Sequence, residues 1–309
     1  MKSVMSFPER GNYGKSSWRG NTSGYVIKEL IQHFDPKIFV DACEGSGTSA
    51  DVCKEMGVHY VGLDLYKGQD FTRDSILSAL PRPADVCFTH PPYHSMIKYS
   101  GSVYGDKELE GDTSHCVTPE EFISKSQVML LNQREATKEG GIYTTLIGDH
   151  RGGTLGSGNF RSYQADFISM MPKDELLSVA IKIQHNCLSD NRVYNGNFVP
   201  IMHEYLIMWK KKQKSLFAVS FDIASELQKR VATTWRNCIR VVMMKLNKAS
   251  LETIYAEVEK VAAGLIANNQ NWKAKIRQTL QKHYTMLKEG FGLYDSWAIQ
   301  NKIRFLYKK

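Results

Sequence analysis

Residues 37–56 place a short apolar run, a glycine-bearing turn and a helical pattern in immediate succession. Residues 37–42 read as a short apolar strand, Glu44-Gly45-Ser46-Gly47-Thr48 turns the chain, and a helix runs to about Met56. The order recurs: residues 60–65 form a second strand ending in acidic Asp64, a short helix follows, and residues 86–89 form a third strand. Strands alternating with helices predict an α/β domain with a mostly parallel, doubly wound sheet. Upstream, Ser23 caps a helix through Phe34 whose Val26, Ile27, Leu30 and Ile31 recur at helical spacing. Downstream, a helix opened by Thr118 and Pro119 and closed near Lys138 by Gly140-Gly141 precedes strands at 142–147, 177–183 and 202–210.

Beyond Lys210-Lys211-Lys212 the pattern becomes helical and basic. Trp235, Ile239, Val242 and Leu246 share one face, Ser250 caps a second helix, and a third carries Trp272, Ile276 and Leu280. Gly290 and Gly292 then permit a hairpin within residues 284–294. Three short helices and a hairpin outline a winged helix. The expected division is residues 1–212 and a small helical, winged-helix-like domain at 213–309, with the boundary between 212 and 232.

A net charge of +8 and a pI near 9.0 favour a polyanionic partner. The six cysteines include no C-x-x-C pair, which argues against a zinc site and a disulfide framework and for reduced thiols. No metal is expected. No apolar run approaches ~18 residues, so no membrane span is expected and the chain reads as cytoplasmic. Gly11-Asn12-Tyr13-Gly14-Lys15-Ser16 has glycines too close together for a P-loop, and residues 45–48 lack the full dinucleotide spacing.

Two places carry chemistry. At residues 41–48, glycines let backbone approach a ligand where a helix amino terminus begins, and Asp64, roughly 20 residues on, stands where a carboxylate can accept from both ribose hydroxyls. At residues 86–93, a strand stops at Pro91-Pro92, which removes two backbone donors and leaves carbonyls free to accept, with His90 and Tyr93 at the ends of the turn. That turn can offer an amine an acceptor and a flat ring an aromatic face. Asp70-Phe71 can accept from an adenine amine and cover its ring.

Together these segments resemble the S-adenosylmethionine-dependent DNA amino-methyltransferases. Residues 41–48 resemble that family's Asp-Pro-Phe-x-Gly-Ser-Gly-Thr motif, His90-Pro91-Pro92-Tyr93 its (Asp/Asn/Ser)-Pro-Pro-Tyr motif, and residues 18–31 its amino-terminal cofactor segment. Cofactor motif, catalytic motif, then recognition region is the gamma order. The resemblance implies a Rossmann-like methyltransferase fold over about residues 15–210. It also implies that Asp41, Ala42, Cys43, Gly45, Gly47 and Thr48 surround the methionine part of S-adenosyl-L-methionine. Asp64 with Leu65 would hold its ribose, Asp70 with Phe71 its adenine, and Thr22 and Ser23 its carboxylate. His90, the Pro91 carbonyl, Pro92 and Tyr93 would hold a flipped base for methylation of its exocyclic amine.

His90 departs from that pattern. The family places an oxygen acceptor there, whereas neutral histidine accepts through one ring nitrogen and its protonated form through none. Three readings stay open: His90 substitutes functionally, the Pro91 carbonyl does most of the work, or the site is inactive. Adenine N6 is the first expectation and cytosine N4 the second. An RNA methyltransferase and a catalytically silent, cofactor-sensing DNA-binding protein are the rivals. Cytosine-C5 transfer is not expected, because its thiolate usually sits in a Pro-Cys pair and none occurs here. The expected partner is double-stranded DNA, in the setting of bacterial or phage restriction-modification, and a homodimer is allowed. In the carboxy-terminal domain, Lys273, Ala274, Arg277, Gln278 and Gln281 face away from Ile276 and would read a major groove, with Lys288 on a phosphate. Residues 94–117 read as a long polar loop, a lid or a DNA-contacting arm.

Overall fold

The computed structural model describes residues 1–151, 159–185, 199–213, 215, 235–246, 248–283, 285–287 and 290–292. The chain divides into two compact units, Met1–Ala218 and Val219–Lys309.

In the first unit the elements follow the alternation in the sequence: β1 (Val4–Ser6), α1 (Gly24–Phe34), β2 (Ile38–Asp41), α2 (Thr48–Met56), β3 (His59–Gly62), β4 (Ala84–Thr89), α3 (Pro119–Ala136), β5 (Thr137–Ile147), β6 (His150–Arg151), β7 (Phe160–Arg161), α4 (Tyr163–Met170), β8 (Leu176–Ile183) and β9 (His203–Lys210). Seven strands form one sheet in the order β1-β8-β9-β5-β4-β2-β3, while β6 and β7 form a separate two-stranded ribbon. Only β9 runs against its neighbours, pairing antiparallel with β5 and β8; every other pairing in the sheet is parallel. The fold is Rossmann-like and doubly wound. From β2 the chain moves outward to β3 and then returns to the other side of β2 as β4. That reversal makes a switch point, and a crevice opens at the carboxyl ends of β2 and β4, where Asp41 and His90 emerge.

Burial explains why these segments are strands and helices. All four residues of β2 and all six of β4 are buried, as expected of strands covered on both faces. On α1, Val26, Ile27, Leu30 and Ile31 pack with Phe39, Val86, Phe88, Leu146 and Leu206 in one core. Ser23 Oγ accepts from Tyr25 N, so α1 starts where the sequence placed its cap. On α3, Gln133 is fully buried yet satisfied: its amide donates to the Cys87 and Thr144 carbonyls and accepts from Thr145 Oγ1.

Three boundaries differ from expectation. Helix α3 ends at Ala136 and β5 begins at once, so Gly140-Gly141 does not close the helix. Instead the pairing shifts between Ala84↔Thr137 and Val86↔Ile142, and Gly140 at φ +72° with Gly141 absorbs the extra residues in a bulge. A side chain on Gly141 would meet the Asp85 carbonyl at 2.9 Å. The strand expected to end at Asp64 stops at Gly62, and Asp64 caps the short turn at 65–67 by accepting from Tyr66 N. Residues 94–117 are not a bare loop. Three short helical turns fold them back, with buried Asp112 accepting from Ser100 N, Ser100 Oγ and Ser114 N.

The second unit contains helices at Trp235–Leu246, Leu251–Val261, Ala263–Ala267 and Trp272–His283. Its three-stranded antiparallel sheet places Gly290–Gly292 between Lys248–Ala249 and Thr285–Leu287. The short Ala263–Ala267 helix and the Lys248–Ala249 strand were not foreseen. Ile239, Val242, Ile254, Val258, Ile276 and Leu280 form its core.

Candidate active site

The crevice at the switch point is a cleft open to solvent. Its floor is the turn after β2. Gly45 at φ +53° and Gly47 at φ +90° take backbone conformations that side chains disfavour, and they bring residues 43–48 under the ends of β2 and β3. Asp41, Ala42, Cys43, Glu44, Gly45 and Thr48 line it, with Asp64, Leu65 and Phe71 beside them.

Two carboxylates shape the floor. Asp41 Oδ1 accepts from Cys43 N at 2.9 Å and Oδ2 from Ser49 Oγ at 2.5 Å. Burial pushes its carboxyl up to about 7; the two hydrogen bonds oppose that rise and the nearby Asp64 and Glu44 charges add to it. Asp64 Oδ2 accepts from Gly45 N at 2.8 Å, and burial raises its carboxyl too. Beside them, Thr22 Oγ1 and Thr48 Oγ1 are buried on the cleft wall with no hydrogen-bond partner among the described residues. Buried polar atoms of that kind call for a ligand or water.

The opposite wall comes from residues 94–117 and the amino-terminal segment. Tyr99, Tyr104, Asp112 and Thr113 line the cleft there, and Trp18 stacks on Tyr104 with ring centroids 6.1 Å apart and planes 10° apart.

At the end of β4, His90 and Pro92 reach the cleft wall. His90 Nε2 lies 2.6 Å from Tyr93 Oη, and the Tyr93 hydroxyl donates to Glu204 Oε1. Glu204 pairs with Lys182, Nζ to Oε2 at 2.5 Å, across directly opposed positions of β8 and β9. Glu204 is 4% exposed; burial favours its neutral form, but Lys182 and His90 hold its carboxyl well below the usual carboxylate range.

Of the residues expected from sequence, Thr22, Asp41, Ala42, Cys43, Gly45, Thr48, Asp64, Leu65, Phe71, His90 and Pro92 meet on the cleft wall. Others lie off it. Ser23 Oγ is spent on the α1 cap and on the Arg10 carbonyl. Gly47 is the cap residue of α2. Asp70 turns back on its own chain, accepting from Thr72 N and Thr72 Oγ1, with Gly111 packed against its carboxylate. Pro91 is buried, and the Tyr93 ring lies behind His90 against Gly148. On the Trp272–His283 helix, Lys273, Ala274, Arg277, Gln278 and Gln281 are exposed while Ile276 and Leu280 are buried. The Lys273 ammonium sits over the Trp272 and Tyr255 rings at 5.2 and 5.4 Å. Lys288 lies outside the described residues.

The expected strand at 202–210 carries residues 203 and 204 but was not connected with His90. A signal existed: Glu204 shares one face of β9 with buried Leu206 and Met208 at period two, and a carboxylate in such a row needs a partner. Among the described residues no cluster of His, Cys, Asp and Glu is suited to hold a metal ion, and no helix is long and apolar enough to cross a membrane.

No protein-family model matches the chain, and no curated protein sequence does. Among solved structures, a provisionally named DNA modification methylase from Thermus thermophilus is 16% identical, the match covering 52% of this chain and 56% of that one at a TM-score of 0.31. A 16S rRNA N2 methyltransferase from T. thermophilus, solved with AdoMet and guanosine, is 14% identical over 64% of this chain and 45% of that one at a TM-score of 0.32. An rRNA methylase from Streptococcus thermophilus is 11% identical over 61% and 96% at 0.31. The match thus spans about half the length of the first two.

Proposed function

We propose that the chain is an S-adenosylmethionine-dependent methyltransferase acting on the exocyclic amine of a nucleic-acid base, in double-stranded DNA and at adenine N6 by preference. The observation that carries this reading is a junction. One switch point brings an acidic, hydroxyl-lined cleft into continuity with an acceptor-bearing Pro-Pro turn.

The residues present fit the cofactor. Thr22 Oγ1 and Thr48 Oγ1 are buried hydroxyls without partners among the described residues, suited to an amino-acid carboxylate. Asp41 and Asp64 offer acceptors to an ammonium and to ribose hydroxyls, and Leu65 and Phe71 supply apolar surface for a purine. Asp70 Oδ1 accepts from Thr72 and the residue lies off the cleft wall, so adenine recognition falls to groups that line it, Thr113 among them. When bound, the cofactor supplies an electrophilic methyl group on a sulfonium.

The chain's own residues do the rest. The lone pair of an aromatic amine is conjugated into its ring; His90, by accepting one amine proton, returns electron density to nitrogen for in-line attack. Pro91 and Pro92 leave the turn rigid and short of donors, so nothing there competes for the acceptor. Trp18, Tyr99 and Tyr104 wall the cleft from water and offer flat faces to a flipped base. In the second unit, the exposed Arg277, Gln278 and Gln281 supply groups that read base edges in a winged-helix-like module, and Lys288 would meet phosphate.

The test is direct. The full chain is incubated with methyl-labelled cofactor and, separately, unmethylated duplex DNA and total RNA, and the digested nucleosides are identified by mass spectrometry. N6-methyladenine in DNA is expected. N4-methylcytosine would correct the base and label in RNA alone the partner, while no transfer to either nucleic acid would overturn the reading.

A further inference from the structure

We propose that Glu204, acting through Tyr93, sets the tautomer of His90 so that Nδ1 is the acceptor presented to the target amine. The inference rests on the methyl-transfer reading above and adds how a histidine can stand where an oxygen acceptor would be expected.

Proton counting along one row of contacts gives the direction. Lys182 has only donors and lies 2.5 Å from Glu204 Oε2. Ionised Glu204 has only acceptors, so the single Tyr93 hydroxyl proton goes to Glu204 Oε1. The Tyr93 oxygen is then the acceptor for His90 Nε2, 2.6 Å away, and Nε2 must carry hydrogen. In the neutral imidazole this leaves the Nδ1 lone pair free. His90 Nδ1 makes no hydrogen bond within the described residues, and the ring lies on the cleft wall. Without the relay, either ring nitrogen could hold the proton, and half the tautomers would present a donor to a donor.

The placement also explains an otherwise costly choice. Lys182 and Glu204 are opposed near the ends of β8 and β9 and are both largely buried, where apolar side chains would pack at no desolvation cost. An ion pair there imposes polarity on a neutral hydrogen bond that cannot otherwise choose a direction. Glu204, Tyr93 and Lys182 are therefore positioning residues, and of these four side chains only His90 touches the substrate.

Glu204→Gln is a nearly isosteric inversion of the relay. Lys182 demands the amide oxygen, the amide NH₂ then faces Tyr93, and Tyr93 gives its proton to His90 Nε2. The tautomer moves to Nδ1–H and the acceptor disappears. The experiment is long-range ¹H–¹⁵N NMR of the histidine-labelled full chain, with the His90 signals assigned by their loss in His90→Gln, alongside single-turnover methyl transfer. The wild type should show the Nε2–H tautomer, Glu204→Gln the Nδ1–H tautomer, and the variant's transfer rate should fall at least 10-fold with cofactor affinity unchanged within twofold. A wild-type Nδ1–H tautomer would overturn the proposal without any substitution being needed. So would a Glu204→Gln variant that flips the tautomer yet transfers methyl at the wild-type rate. The tautomer is read whether or not methylation occurs, so an Nε2–H wild type with no methyl transfer to DNA or RNA convicts the functional reading alone.

Discussion

Asp64 Oδ2 accepts the backbone N–H of Gly45 at 2.8 Å, so a carboxylate that follows one strand fixes the glycine turn that follows another. The same carboxylate caps its own turn through Tyr66 N, and Tyr66 Oη returns to the Gly45 carbonyl at 3.2 Å. The group assigned to the ribose is thus also the strut that shapes the cleft floor.

This double role separates two substitutions. Asp64→Asn keeps an oxygen for Gly45 N and loses the charge, whereas Asp64→Ala loses both. A hydrogen bond to a charged group contributes about 1.5–3 kcal/mol, so Asp64→Ala should weaken cofactor-product binding at least ~10-fold, with Asp64→Asn in between. Isothermal titration with S-adenosylhomocysteine measures this, and wild-type affinity in Asp64→Ala would remove Asp64 from the cofactor site.

Asp41 makes the fold pH-dependent. Its folded-state pKa of about 7 stands above the ordinary 3.8, with burial the largest cause. A group raised in this way contributes stability fully below about pH 4, and that contribution is lost as pH rises through about 7. The difference corresponds to about 4 kcal/mol. Asp41→Asn can still accept from Cys43 N and donate to Ser49 while carrying no titration. Urea unfolding at pH 5 and pH 8 should show the wild type losing stability relative to Asp41→Asn as pH rises; parallel curves would refute the assignment.

How much of this was legible in the sequence follows from the range of the interactions. Ser23, Thr118 and Ser250 cap helices through neighbours two or three residues away, and each was readable. The glycine turn and the Pro-Pro turn are equally local, and so were their positions at strand ends. Asp70 lies off the cleft wall with one oxygen in an Asx turn to Thr72, a local duty that leaves no mark in the sequence distinguishable from an exposed carboxylate. The link from Glu204 to Tyr93 and Lys182 was not legible because those partners lie 111 and 22 residues away, and only strand register makes Lys182 its neighbour. Gly140-Gly141 looked like a helix stop because a bulge and a helix terminus ask for the same residue.

Helix α3 brings Arg134 to Glu175, a buried carboxylate just ahead of β8. Two guanidinium nitrogens donate to Glu175 at 2.8 and 2.6 Å, and Tyr143 Oη and Lys212 N donate to the same carboxylate. Burial opposes ionisation of Glu175, yet these partners lower its pKa, so its contribution to stability is present above about pH 4.5 and is lost as pH falls through the depressed value. Arg134→Ala leaves a buried charge unpaired and should cost about 3–5 kcal/mol, while Arg134→Ala with Glu175→Leu should recover much of the loss. Denaturant midpoints of the two variants check this; equal midpoints would deny that the unpaired carboxylate is the cause.

The exposed face of the Trp272–His283 helix carries the remaining prediction. Ile276 and Leu280 anchor the helix in its core, which leaves Arg277, Gln278 and Gln281 outward and free of a packing role. A guanidinium paired with a guanine edge is worth about 1–3 kcal/mol of discrimination, whereas a lysine on phosphate contributes equally to every sequence. Once the methylated site is known, Arg277→Ala should shrink the ratio of cognate to non-cognate binding by about 10- to 100-fold and leave the salt dependence nearly unchanged. Lys288→Ala should preserve that ratio and reduce the slope of log affinity against log salt by about one. Binding titrations at two or more salt concentrations separate the effects, and matching losses on all duplexes for both variants would mean that this helix face only collects phosphate.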